Sequence, residues 1–298
     1  MYMPSPGLPE FDYLKPASLA EASRILAEGS DQARPFMGGT DIFVRMRDGF
    51  VRPEILVDVK HLPGMRGIRY DEQAGLTIGA ATTLNEIAAH PVVQTHYPLL
   101  VEAANSVASY QLRNRATLGG NLCNASPAAD TAPTTLLLEA SMVLYGPSGE
   151  RMVGADAFFL GPGTTPVQPG ELMTAVHFPI PPAESAGRYL KLGRNKAGDL
   201  AIAGVGVLGF PNGAGSGYGF RIGLASVAPV PLRAREAEHL LAASPPGDHT
   251  FALAAEEAMR AASPIDDVRA SAAYRKAMVR ALTLRGLRAV WAQMEEDK

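Results

Sequence analysis

Apolar residues in "SLAEASRILAEG" recur three and four positions apart, which predicts a helix. Ser18 with Glu21 three residues on supplies a capping box, and Gly29 is expected to stop it. "EFDYLKP" before it reads as a short strand. "ARPFMGGTDIFVRMRDGF" after it is a short apolar run, a double glycine and an amphipathic helical turn, and "EILVDVKHL" then alternates as a strand does. The opening section therefore has the strand–helix–strand rhythm of an α/β unit.

From residue 65 the period changes. "MRGIRYDEQAGLTIGA" is two alternating runs about a glycine-containing turn, a hairpin, and "TTLNEIAAHP" opens a helix with a second capping box, Thr83 and Glu86. "YPLLVEAANSVAS" and "DTAPTTLLLEA" predict two more helices, followed by the strand "MVLYG" and the turn "PSGE". "PIPPAESAG", residues 179–187, is the best linker candidate. Beyond it "GRYLKLGR", "LAIAGVGVLGF" and "GFRIGLASV" predict three strands of an antiparallel sheet, then helices near 232–242, 250–262 and 274–292. The expectation is an α+β chain with domains at 1–180 (parts about 1–60 and 61–180) and 187–298.

"GVGVLG", Gly204 to Gly209, matches the G-x-G-x-x-G dinucleotide fingerprint, but it runs into "FPNGAGSGYG" where the fingerprint needs a helix. A glycine-rich strand is the better reading. "MGGTD" and "TLGGN" each place two glycines where a strand is expected to end, so backbone amides can approach a ligand without a Cβ between them. Hydroxyl and amide side chains follow, and Gly38-Gly39-Thr40 precedes an expected helix start. Both read as anion cradles without cations, sized together for a pyrophosphate. Taken singly, each has a plainer reading: a tight turn, self-bonded Asn121 and Asn124, and Asp130 as an N-cap with Pro133 in the first turn.

Composition narrows the partners. A net charge of −3 gives no electrostatic case for nucleic acid or an anionic membrane. One cysteine, Cys123, excludes an internal disulfide and cannot form the thiolate shell of an iron–sulfur cluster. "MYMPSPGLPEFDYLKP" has neither the charged start nor the apolar run of a secretory signal, and no stretch reaches the roughly 20 apolar residues of a membrane span. A cytoplasmic protein is expected.

"MGGTDIFVRMRDG", "QLRNRATLGGNLCNASPAADTAPTTLLLEA" and "LKLGRNKAGDLAIAGVGV" resemble the FAD-binding subunit of the molybdenum hydroxylases, the xanthine dehydrogenase and aerobic carbon monoxide dehydrogenase group. The resemblance spans nearly the whole chain. It implies a two-part FAD-binding region of the vanillyl-alcohol-oxidase (PCMH) type, then a small C-terminal domain with a three-stranded antiparallel sheet and a helical bundle. It assigns Phe36, Met37, Gly38, Gly39, Thr40, Asp41 and Ile42 to the pyrophosphate and neighbouring flavin groups, and Thr117, Leu118, Gly119, Gly120 and Asn121 to a second phosphate loop. Asn124 and Asp130 extend the polar lining, Asp130 against FAD hydroxyls; Met173 is an apolar contact and Lys191 a basic position near the flavin. Strand alternation alone equally permits Lys191 as a snorkelling surface lysine.

The resemblance further implies electron relay with no catalytic acid or base and no metal in this chain. Substrate would be oxidised at a molybdenum cofactor on a large subunit, and electrons would pass through 2Fe–2S clusters of a small subunit to the FAD here, then to NAD, oxygen or a quinone-linked carrier. A dimer of heterotrimers is expected, with the small subunit docking near Lys191 and the "GRNKAGD" loop, through Arg194 and Lys196. The cysteine-bearing insertion some relatives use for an additional cluster is absent. The alternative is a self-sufficient FAD-dependent oxidoreductase acting directly on an organic substrate; against it stand the small C-terminal domain and the lack of a histidine in either glycine loop.

Overall fold

The computed structural model describes residues 7–195 and 198–296. Its first unit runs β1 (Asp12–Leu14), α1 (Leu19–Gly29), β2 (Ala33–Phe36), α2 (Ile42–Arg47) and β3 (Ile55–Asp58). The strands are parallel in the order β1-β3-β2, as connection through helices requires. Helix α1 starts as the sequence predicts, with Ser18 Oγ accepting from the Glu21 N–H at 3.1 Å, although the Glu21 carboxylate turns back to the N–H of Ala17. It ends on Gly29, as expected, but not through a left-handed glycine. That residue keeps a helical φ of −78°, and Ser30, at φ 45°, makes the exit turn. Gly29 is there because a Cβ would lie 2.5 Å from that of Ala33 as the chain returns into β2.

The second unit holds β4 (Ile68–Asp71), β5 (Gly75–Gly79), α3 (Leu84–Ala89), α4 (Pro91–His96), α5 (Pro98–Ser106), α6 (Tyr110–Arg113), α7 (Leu118–Cys123), α8 (Thr131–Leu137), β6 (Ser141–Gly146), β7 (Gly149–Gly154), α9 (Ala155–Phe158) and β8 (Leu172–Phe178). Its strands form a five-stranded sheet in the order β4-β5-β8-β6-β7. The hairpin and both sides of the Thr83/Glu86 capping box are as predicted. Strand β8 was not legible from alternation because it lies at the centre of the sheet and is buried along almost its whole length. Residues 179–185 join it to the last unit, whose first strand takes up the end of the expected linker at 186–187.

That unit has β9 (Ala186–Leu192), β10 (Ala203–Pro211), β11 (Tyr218–Ala225) and β12 (Leu232–Arg233), followed by α10 (Arg235–Ala243), α11 (Asp248–Ala261) and α12 (Ala272–Glu296). The sheet therefore has four strands where three were expected: β12, two residues long, pairs with Gly223 and Leu224. Gly204 to Gly209 lies inside β10, which confirms the strand reading of that motif. Glycines on β10 and β11 flatten the face that meets α8. A Cβ on Gly206 would come within 2.8 Å of Leu137, and one on Gly223 within 3.1 Å of Pro133.

The ends of β10 and β11 are tied to α12 by Arg275, which is 2% exposed. Its guanidinium donates to the carbonyls of Ile202 and Ser226 and, at 2.7 Å, to Asp267. The Arg269 guanidinium on the same carboxylate, with Arg275 beside it, holds Asp267 well below the usual carboxylate range. A depressed native value means the unfolded chain binds the proton more tightly. The stabilisation is therefore complete above the ordinary aspartate value of about 3.9 and is lost as pH falls from there towards the native value. Asp267→Asn should unfold at a lower temperature than the parent at pH 7, with the gap narrowing as pH falls below about 4; a gap constant with pH would show that this pair does not set the acid limb. Among the described residues no helix is long and apolar enough to cross a membrane.

Candidate functional site

A cleft of about 760 Å³ runs between the first two units and reaches Asp199 and Leu200 of the third. The loop after β2 forms one wall. Phe36, at the strand's end, is buried beneath it, its ring 5.3 Å from that of Phe43 and 5.7 Å from that of Tyr13, and does not itself line the cleft. Met37, Gly38, Gly39, Thr40, Asp41 and Ile42 do. Gly38 lies directly on the second motif: a Cβ there would be 2.2 Å from the carbonyl oxygen of Arg115. Gly39 has φ +78°, and a Cβ would meet the Phe36 ring at 2.8 Å. With the chain folded this way, none of the backbone N–H groups of residues 38–42 finds an acceptor among the described residues. Five donors in the cleft wall at the start of α2 are thus left open.

The second motif is built differently from its sequence reading. "TLGGN" is no loop at a strand end but the start of α7, with Thr117 as N-cap. Its amides are engaged: Leu118 donates to Thr82, Gly119 to Ala80, Gly120 to the Thr117 hydroxyl and Asn121 to the Thr117 carbonyl. No amide cradle exists there. Leu118 and Gly119 face inward, and a Cβ on Gly119 would sit 2.6 Å from that of Ala80. Thr117, Gly120, Asn121 and Asn124 line the cleft, with Cys123 beside them; burial pushes the Cys123 thiol up to about 12. Asn121 Oδ1 accepts from the Thr131 hydroxyl at 2.6 Å, which leaves its NH₂ group without a protein partner among the described residues.

The site is not without cations. Arg34 and Arg45 line it, and Arg45 donates to Asn124 Oδ1 at 3.2 Å, bridging the two motifs. Arg45 sits one turn into the helix that the open amides begin, and its place in "DIFVR", at helical spacing from the glycines, is the sequence signal for it. Asp41 lies in the same wall, where loss of solvent pushes its carboxyl up and Arg45 draws it back. Across the cleft, Arg151 grips Glu171 through two hydrogen bonds of 2.6 and 2.7 Å and holds its carboxyl below the usual range, fixing the chain that leads to Met173. Met173, on β8, is buried and lines the cleft.

Asp130 lines the cleft while only 4% exposed. It makes no N-cap hydrogen bond to α8. Its Oδ1 accepts from the Tyr189 hydroxyl at 2.8 Å and its Oδ2 from Lys191 Nζ at 2.7 Å. Lys191 also donates to the Ser106 carbonyl at 2.8 Å. It is therefore neither a surface lysine nor a lining residue, but stands behind Asp130. Burial pushes the Asp130 carboxyl upward, against the pull of Lys191 and Tyr189.

A wall of open amides beside a guanidinium, facing a buried carboxylate across a cleft of this volume, suits a diphosphate flanked by hydroxyl-bearing groups, as in a dinucleotide. Comparison with known proteins agrees. Residues 9–181 match the model of the FAD binding domain in molybdopterin dehydrogenase, and residues 188–290 that of the CO dehydrogenase flavoprotein C-terminal domain. The carbon monoxide dehydrogenase medium chain of Hydrogenophaga pseudoflava is 36% identical over 96% of this chain and 98% of its own. The putative xanthine dehydrogenase FAD-binding subunit of Escherichia coli is 34% identical over 91% and 92%. Among solved structures, the Hydrogenophaga carbon monoxide dehydrogenase superposes with a TM-score of 0.91 over 96% of this chain and 99% of that one. Quinoline 2-oxidoreductase from Pseudomonas putida does so with 0.89 over 97% and 100%, at 29% identity.

Fold and matches together define a flavoprotein with an FAD-binding region of the molybdopterin dehydrogenase type and a C-terminal unit of a four-stranded antiparallel sheet and helices. The chain belongs to the FAD-binding subunits of the molybdenum hydroxylases, the family of the carbon monoxide and xanthine dehydrogenases.

Proposed function

We propose that this chain is the electron-relay subunit of a molybdenum hydroxylase, taking electrons from 2Fe–2S clusters of a small subunit, themselves fed by a molybdenum-cofactor large subunit, and passing them to NAD, oxygen or a quinone-linked carrier. The observation that carries this reading is the full-length likeness to a carbon monoxide dehydrogenase medium chain in a sequence whose single cysteine cannot build a cluster of its own. A dimer of heterotrimers working in the cytoplasm belongs to the same reading, as does a division into an FAD-binding domain, 1–180, and a C-terminal domain, 187–298.

Bound FAD supplies a carrier able to take electrons singly and deliver them in pairs. The chain's own part is to hold and orient it. The N–H groups of residues 38–42 and the Arg45 guanidinium take the diphosphate; Thr117, Gly120, Asn121 and Asn124 close the opposite side; Asp130 accepts from hydroxyls; Met173 gives an apolar contact. Phe36, Leu118, Gly119 and Lys191 support these from behind. For the docking face, Arg194 is engaged with Asp199 at 2.8 Å on an exposed turn beside the cleft, while Lys196 lies outside the described residues.

Anaerobic mixing with candidate organic substrates tests the relay, with flavin absorbance followed in the chain alone and after adding both partner subunits. Bleaching is expected only in the assembled complex. Rapid bleaching in the chain alone would overturn the relay and establish a self-sufficient oxidoreductase.

A further inference from the structure

The glycine that opens the decoy fingerprint has a task of its own. Gly204 on β10 pairs with Lys191 on β9, and a Cβ at Gly204 would lie 2.4 Å from the hydroxyl oxygen of Tyr189 and 3.2 Å from the ring carbon bearing it. Tyr189 is buried, and its backbone N–H donates to Glu102 on α5 at 2.7 Å, which fixes the root of the side chain. Tyr189 and Lys191 stand two residues apart, so both side chains leave the same face of β9, and each takes one oxygen of Asp130. The strand thus reaches across from the C-terminal sheet and clamps the carboxylate from two sides.

We propose that Tyr189, given room by Gly204, is a positioning residue that sets the Asp130 carboxylate for the hydroxyl groups of bound FAD. This rests on the reading of Asp130 as an FAD contact. A carboxylate offers about four lone-pair directions, and the tyrosine and lysine occupy one on each oxygen, leaving the others for the cleft. The terminal torsion of an aspartate is soft, so a donor on one oxygen alone does not fix the plane of the group. With both donors in place the plane is fixed before the cofactor arrives. The C-terminal unit, which contributes few lining residues, therefore shapes the FAD site through a hydroxyl that never enters it.

The test is FAD titration of the full-length apoprotein by fluorescence quenching. Tyr189→Phe should weaken binding about tenfold, the scale of one hydrogen bond to a charged group. Gly204→Ala should weaken it at least as much by pushing the phenol aside, and Tyr189→Phe added to Gly204→Ala should restore part of the loss, because it removes the atom with which the methyl collides. Gly206→Ala, whose methyl would press on Leu137 at 2.8 Å and only touch a Tyr189 ring carbon at 3.7 Å that phenylalanine keeps, should gain nothing from Tyr189→Phe. A change that only loosened the sheet would lower the melting temperature without this selective suppression. Should Gly204→Ala fail to fold, Tyr189→Phe alone still decides. Asp130→Asn separates the two levels: if it binds FAD as the parent does, the reading of Asp130 fails and the proposal with it. If it binds weakly while Tyr189→Phe binds normally, or the two substitutions multiply, the positioning role alone is overturned.

Discussion

Gly38→Ala is expected to weaken FAD binding by about a hundredfold or more, the larger of the effects foreseen in the glycine loops. The new Cβ would fall 2.2 Å from the Arg115 carbonyl oxygen, and a backbone atom cannot swing aside as a side-chain tip can. The loop must lift, and the open N–H groups of residues 38–42 lift with it. Losing two charge-assisted hydrogen bonds, at about 1.5–3 kcal/mol each, gives at least that factor. Gly120→Ala is the contrast: its Cβ would meet only the Thr117 hydroxyl, at 2.8 Å, and the neighbouring amides already have partners. Fluorescence titration of both variants, with thermal unfolding of the apoproteins as a control, distinguishes the walls. Equal losses, or a Gly38→Ala variant within about threefold of the parent, would remove the amide wall as the diphosphate site.

Lys191→Met should destabilise the protein by about 3–5 kcal/mol at pH 8, the usual consequence of removing one partner of a buried ion pair. Asp130 would be left buried with the Tyr189 hydroxyl alone. Its carboxyl is already pushed upward by burial with the lysine present, so without it the group takes up a proton more readily still. A raised native value makes the folded state the better proton binder, and the stability this confers is lost as pH rises through it. The deficit of Lys191→Met should therefore be smaller at pH 5 than at pH 8, and Asp130→Asn added to it should recover part of the loss at pH 8. Denaturant unfolding at the two pH values measures both; a deficit independent of pH and of Asp130→Asn would mean the pair contributes packing only.

Where local chemistry decides, the sequence foretold the structure well. Ser18 and Thr83 cap their helices, the hairpin over 68–79 forms, and Gly204 to Gly209 is a strand because nothing after it can be a helix. What escaped is what depends on distant partners. The two double glycines look alike, yet one leaves its amides open while the other delivers them to Thr82 and Ala80, residues far back in the chain. Glycine itself is ambiguous: at 38 and 119 it yields to neighbouring protein, and only at 120 is most of the space around it cleft. The role of Lys191 could not be fixed by strand alternation, since an inward lysine and a surface one differ only in whether a carboxylate waits opposite. Arg45 is a plainer case: it lies a helical turn beyond the glycines, and only the fold of α2 brings it back over the cleft.

Cys123 gives the molecule a practical property. It is the chain's single thiol, and burial pushes its pKa upward, so less of it is thiolate at neutral pH than in a free cysteine. Maleimides and disulfide reagents act on the thiolate, so the native residue should react more slowly than an exposed cysteine. A cysteine introduced on the exposed turn at Arg194, or at Leu200 on the rim, would be labelled ahead of it, without first removing the native thiol from the cofactor wall. A spin label or fluorophore placed there would test the proposed docking of an iron–sulfur subunit at this turn while the flavin environment stays as the chain builds it.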